Sequence, residues 1–192
     1  TALTEIVFKA AAMEDLAYEN FVFYNAGIDG DGIAVIIGAD VTKIPNYLFY
    51  PYGSTSYLPK ITTVTFEEGS VCTAIGNYAF YYADDLMELE LPNALETIGQ
   101  YAFAYCTSLK SITIPDSVTT IGDSSFAACS SLTNVTISDG VEIIGNRAFD
   151  GCDALTNITI PSSVTTIGDK AFFDCKTLAN ITVNENNGYY AS

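Results

Sequence analysis

A period of 23 residues governs this chain. The pair Ile-Gly recurs at Ile75, Ile98, Ile121, Ile144 and Ile167, each 23 residues after the last. A phenylalanine stands five residues after each, at Phe80, Phe103, Phe126, Phe149 and Phe172. Cysteine follows three later at Cys106, Cys129, Cys152 and Cys175, with Ala83 in the first copy. An aliphatic run then repeats as Leu109-x-x-Ile112-x-Ile114, Leu132-x-x-Val135-x-Ile137 and Leu155-x-x-Ile158-x-Ile160. A unit this short cannot bury its own apolar side chains, so the copies must stack and share one core as a solenoid.

The parts of the unit have separate physical readings. The period-2 end of the aliphatic run predicts a short strand with its last two aliphatics turned inward. Pro92, Pro115 and Pro161 follow and stop it, having no N–H for a ladder. Asn77, Asp123, Asn146 and Asp169 precede the Phe, where a side-chain oxygen would cap a short helical turn. The Phe column with Phe49, and the cysteine column, are the expected structural core. The array extends less regularly toward the N-terminus. Ile44 opens a longer unit with an insertion around Pro51 to Pro59, then Ile61-x-x-Val64-x-Phe66. Val35, Ile37 and Val41 match a further unit, and Leu3-x-x-Ile6-x-Phe8 reads as one more strand, followed by a weakly helical Ala10 to Tyr18. Phe21 to Ile37, centred on Ile28-Asp29-Gly30-Asp31-Gly32, predicts a β-hairpin. Residues 1–43 are therefore expected to be a divergent first unit or N-terminal cap, and 44–192 one continuous array. Val183 to Tyr190 reads as the start of another repeat segment and not as a polar cap, so the array is expected to be cut at its C-terminal end.

The string Leu109 to Cys129, LKSITIPDSVTTIGDSSFAAC, resembles the treponemal-type, BspA-like leucine-rich repeat, and the similarity spans about residues 33–183. It departs from the pattern L-x-x-L-x-L-x-x-N/C-x-L, because Ser117 stands at the Asn or Cys and Val118 comes one place early. The resemblance implies an α/β leucine-rich-repeat solenoid, with short parallel strands on a concave face and short helical turns opposite. It also implies an extracellular or cell-surface protein that acts in adhesion or partner binding.

Composition narrows the chemistry. Seven basic residues against 23 acidic ones give a net charge of −16. Nucleic-acid binding depends on Lys and Arg clusters that neutralise phosphates, and no such cluster exists here. With no histidine, the usual Ser-His-Asp and Cys-His catalysis and His-containing zinc sites are excluded. No apolar run approaches the ~18 residues of a membrane span. Thr1 to Lys9 lacks a basic and apolar leader, so any signal peptide is expected to be already removed or left out of this sequence. Asp29-Gly30-Asp31-Gly32 lacks the other ligands of a calcium loop and reads as a turn. Glu67/Glu68 and Asp84/Asp85 are neighbours on loops, not carboxylates facing each other across a glycosidase cleft. Stacked cysteines hold their Cβ vectors parallel, which favours free buried thiols over disulfides. Cys72 lies outside that column. No enzyme activity, metal or cofactor is expected, and the chain is expected to be a monomer.

Two surfaces remain as candidates for a protein or glycan ligand. The outward strand positions run from Thr63 and Thr65 through Glu88 and Glu90, Ser111 and Thr113, to Asn180 and Thr182. The Glu88/Glu90 pair beside Lys110, with Thr113, is their distinctive spot; the rest are also what a solvent-facing strand favours. Asn134, Asn157 and Asn180 each open an Asn-x-Thr sequon, repeated because the unit repeats. Tyrosine is unevenly distributed: Tyr47, Tyr50, Tyr78, Tyr81, Tyr82, Tyr101 and Tyr105 surround the Phe of three successive units, and Tyr52 and Tyr57 lie in the insertion. Tyrosine joins large area to a polar tip, which suits binding surfaces. The leading expectation is an adhesion or binding module. A structural spacer and a non-catalytic region of a larger secreted protein or enzyme are the alternatives.

Overall fold

The computed structural model describes residues 3–9, 23, 26–27, 30–51 and 58–191. The Leu-x-x-Ile-x-Ile runs form the longer strands, along one side of the stack. These are β1 (Glu5–Phe8), β2 (Ile33–Ile37), β4 (Ile61–Phe66), β6 (Glu88–Leu89), β8 (Ser111–Ile114), β10 (Asn134–Ile137), β12 (Asn157–Ile160) and β14 (Asn180–Val183). In β8, β10 and β12 exposed and buried residues alternate strictly, as one solvated face requires. A second side carries two-residue strands ending in the repeated Ile: β3 (Lys43–Ile44), β5 (Ala74–Ile75), β7 (Thr97–Ile98), β9 (Thr120–Ile121), β11 (Ile143–Ile144) and β13 (Thr166–Ile167). Among the described residues all pairings are parallel. The short strands form one unbroken ladder, whereas the long ones divide as β1-β2-β4-β6, β8-β10 and β12-β14.

The third side is where sequence and structure part. The expected helical turns are not helices: among the described residues that side is built of consecutive tight turns. In each coil one residue takes a left-handed φ, at Tyr47, Tyr78, Tyr101, Ser124, Arg147 and Lys170 (53–59°). A second follows four residues later at Tyr82, Tyr105, Ala128, Gly151 and Asp174 (53–70°). A helix needs right-handed φ throughout, so these positions forbid one. Their N–H groups point to the next coil instead. Tyr78, Phe80 and Tyr82 donate to the carbonyls of Gln100, Ala102 and Ala104 at 2.8–2.9 Å, and Tyr101, Phe103 and Tyr105 repeat this on Asp123, Ser125 and Ala127. The turn side is thus a third inter-coil ladder.

The capping role expected of Asn77, Asp123 and Asn146 is corrected in the same way. Their oxygens accept from the coil that follows: Gln100 N–H donates to Asn77 Oδ1 at 2.8 Å, Asn146 N–H to Asp123 Oδ1 at 2.7 Å, and Asp169 N–H to Asn146 Oδ1 at 2.8 Å. The glycines before them let the coils approach, since a Cβ on Gly145 would lie 2.7 Å from the backbone nitrogen of Asp123.

The hairpin expected over Phe21 to Ile37 is corrected at its second arm. β2 has β1 along one edge and β4 along the other, both parallel, so no edge is left for an antiparallel partner. The rest of that hairpin lies largely outside the described residues, as do the helix expected over Ala10 to Tyr18 and the tyrosines Tyr52 and Tyr57.

Inside the three ladders, Phe49, Phe80, Phe103, Phe126, Phe149 and Phe172 stack face to face with centroids 5.3–5.6 Å apart. Phe23 and Phe8 continue the pile beyond Phe49. Beside it the four column thiols donate to carbonyls of earlier coils: Cys106 to Phe80 at 3.5 Å, Cys129 to Phe103 at 3.2 Å, Cys152 to Phe126 at 3.3 Å and Cys175 to Phe149 at 3.1 Å. All five cysteines are free. Cys72 is buried in the register that later coils fill with Leu95, Val118, Val141 and Val164.

Candidate functional site

The left-handed backbone of the turn side throws its side chains outward, and in the first coils those side chains are tyrosines. They assemble into columns. Tyr47, Tyr78 and Tyr101 stack with centroids 5.2 and 4.9 Å apart. Tyr50 stacks on Tyr81 at 5.3 Å, and Tyr82 on Tyr105 at 4.2 Å with planes 2° apart. Edge contacts knit the columns together, among them Tyr81 to Tyr105 at 5.5 Å and Tyr78 to Tyr81 at 5.4 Å. All seven rings are half-buried, so each keeps an exposed edge. The structure therefore brings the sequence-predicted Tyr47, Tyr50, Tyr78, Tyr81 and Tyr101 onto one surface, completed by Tyr82 and Tyr105.

Crowding changes the phenols. Burial above all, then the adjacent tyrosines, pushes Tyr78 and Tyr81 up from the ordinary range, Tyr81 furthest; burial and then Tyr105 does the same to Tyr82. These hydroxyls stay protonated through physiological pH and can both donate and accept hydrogen bonds.

The other predicted residues lie on the long-strand side. Glu88 and Glu90 are exposed in and after β6, Lys110 precedes β8, and Thr113 points outward from it. No ladder joins β6 to β8. There an open hollow of about 660 Å³ is lined by Glu90, Ser111, Thr113 and Asp116, among others. Two hollows of about 270 Å³ adjoin it; Glu90 lines both, and Glu88 lines one. Glu90 and Thr113 thus share a depression, whereas Lys110 lines none of the three.

Sequence reasoning did not single out the ground beyond the tyrosines. The coil after Tyr101 and Tyr105 carries Ser124, Ala127 and Ala128, and the next Arg147, Asp150 and Gly151. Arg147 pairs with Asp150 at 2.6 Å, and both Arg147 and Lys170 lie over the ring of Phe173, at 5.8 and 5.3 Å. The drop from Tyr to Ala within one register column was the readable signal. Among the described residues no group of three or more His, Cys, Asp or Glu can hold a metal ion, and no helix is long and apolar enough to cross a membrane.

Residues 73–191 match the model of the BspA type leucine-rich repeat region, in six copies. The chain belongs to that family. Solved structures agree with this BspA-type assignment. The chain is similar to a leucine-rich cell surface protein from Faecalibacterium prausnitzii, with 32% identity and a TM-score of 0.75 over 95% of this chain and 48% of that one. It is similar to the T. pallidum leucine-rich repeat protein TpLRR, with 31% identity and a TM-score of 0.69 over 80% of this chain and 70% of that one. It also matches the pneumococcal vaccine antigen PcpA, with 26% identity and a TM-score of 0.73 over 84% of this chain and 43% of that one. The chain spans about half the length of the Faecalibacterium protein. No curated protein matches it. BspA-type repeats make a protein-interaction fold that is generally non-catalytic.

Proposed function

We propose that this BspA-type array is a partner-binding module of a cell-surface or secreted protein, and that its tyrosine-faced flank meets the partner. The observation that carries the reading is the gathering of seven half-buried tyrosines on three consecutive coils, on a face whose later coils carry Ser, Arg and Lys at the first turn position. Tyrosines supply rigid contact area at small entropic cost and keep a hydroxyl for specificity. The similar Faecalibacterium chain is described as a cell surface protein, which supports display outside the cell. The partner is a protein or a glycan. The hollow at Glu90 and Thr113, flanked by Glu88 and Lys110, is a secondary contact. The module acts as a monomer without catalysis, cofactor or nucleic acid, and residues 1–43 are its divergent first unit or N-terminal cap.

The rings also cover one another's faces, which favours a second reading in which they only stiffen a spacer. A panel of extracellular-matrix proteins and glycans, probed with the wild type and with Tyr78→Ala/Tyr101→Ala, separates the two. The binding module predicts that at least one capture weakens by ~10-fold or more, about 1.4 kcal/mol, in a variant that keeps its cooperative melt. Capture by neither protein would leave the spacer, and equal capture by both would move the contact off the tyrosine flank.

A further inference from the structure

The tyrosine columns end abruptly, and the place where one of them ends is shaped to take a ring. Tyr105 lies flat on Tyr82, so one of its faces is covered. Its other face looks toward the next coil, where the register holds Ala128, and beyond that Gly151. Ser124 ends the neighbouring column but is buried under its surroundings. The opening is thus at Tyr105. Its floor, Ala127, Ala128 and Gly151, is only half-buried, and a Cβ added at Gly151 would meet nothing nearer than Ala128 at 3.6 Å. Coils here are 5.4 Å apart along the Phe column. A ring in contact with Tyr105 sits ~3.5–4 Å from its face, so two coils of shelf accommodate one.

The surroundings select the occupant. Tyr105 contributes its own phenol hydroxyl, and Arg147 and Asp150 stand on the same coil as Gly151. The nearest charges, Arg147 and Asp150, neutralise each other at 2.6 Å, while the net charge of −16 repels polyanions. The shelf is shallow and lies along the stack, so a chain can continue past it at either end. We infer that the Tyr105 shelf is a subsite for one pyranose ring of an uncharged glycan. The apolar C–H face of the sugar lies on Tyr105, and its hydroxyls exchange hydrogen bonds with the Tyr105 phenol and the Arg147–Asp150 pair. The inference rests on the tyrosine flank being the binding surface, and it favours a sugar over an aromatic peptide side chain because the rim offers paired donors and acceptors.

The chain itself supplies the blocking variant. Ala128 has φ 58°, and the matching Tyr82 and Tyr105 have φ 62° and 64°; Ala128→Tyr therefore extends the column by one ring in a backbone that already carries tyrosine there. Immobilised neutral hexasaccharides of glucose, mannose and N-acetylglucosamine would be probed beside a hyaluronan hexasaccharide and an aromatic-rich peptide set. The expected result is capture by at least one neutral sugar and not by hyaluronan, weakened at least ~10-fold by Ala128→Tyr and by Tyr105→Leu but unchanged by Thr136→Ala on the strand side. Tyr105→Leu decides the matter should Ala128→Tyr fail to fold. Capture of no neutral sugar, capture undiminished in the variants, or loss confined to the peptides overturns the subsite. If Tyr78→Ala/Tyr101→Ala loses its partner while Ala128→Tyr keeps every sugar, the flank stands and the shelf falls. If neither variant loses anything, both fall.

Discussion

Phe126 has no exposed surface and is held between Phe103 and Phe149, each 5.4 Å away. Replacing it with alanine removes a ring from the middle of a pile whose neighbours are fixed by backbone ladders on three sides, so the cavity cannot collapse. Phe126→Ala is expected to cost ~3–5 kcal/mol, measured by chemical denaturation; an unchanged midpoint would mean that the ring column does not hold the coils together. Residues of this kind were legible from spacing alone, because an apolar side chain at a fixed place in every copy has few roles except core. The left-handed positions were not legible. Tyr, Ser, Ala, Arg, Lys and Asp occupy them, none of which announces a positive φ, and only Gly151 would have hinted at it.

At the scale of the element, the Asn and Asp column shows how a plausible local reading missed a long-range one. An Asp before a turn suggests a cap on that turn, yet Asp123 serves the following coil, accepting from the Asn146 N–H at 2.7 Å and the Asn146 side chain at 3.2 Å. Asp123→Ala is expected to destabilise the array by ~1 kcal/mol and to speed amide exchange at Asn146, whereas Asp123→Asn keeps an acceptor and most of the stability. Equal losses in the two variants would instead assign the effect to charge. The long strands were visible as alternating aliphatics. The second strand ladder was not, because two residues such as Thr97-Ile98 are too short to show a period. The expected hairpin failed for a related reason: a Gly-Asp turn signal reports on local bending and says nothing of which edges of β2 are already occupied.

For the whole molecule, the stack has a different chemistry at each end, and alkali should reveal it. The phenols of Tyr78, Tyr81 and Tyr82 have folded-state values raised above their ordinary one, chiefly by burial. The stability linked to them is therefore fully present below about pH 10 and is lost as pH rises through the raised values. The tyrosine-bearing coils are expected to open first on alkaline titration, followed by phenolate absorbance and amide exchange. A triple Tyr→Phe variant at these positions should hold its fold to higher pH, and one that opens at the same pH as the wild type would remove the phenols as the cause. The buried thiols of Cys106, Cys129 and Cys152 are raised in the same direction by burial, which is why the comparison with the Phe variant is needed. The left-handed turns have a consequence on a longer timescale. Their conformational cost falls on the backbone, at roughly 1–2 kcal/mol for any L-residue. None of the ten non-glycine occupants is β-branched; beyond that restriction the column takes Tyr, Ser, Arg or Lys over an unchanged row of Phe. The side chains that hold the coils together and those that face outward from the turns thus stand in separate columns, so the character of the turn face can change from coil to coil over one unchanging core.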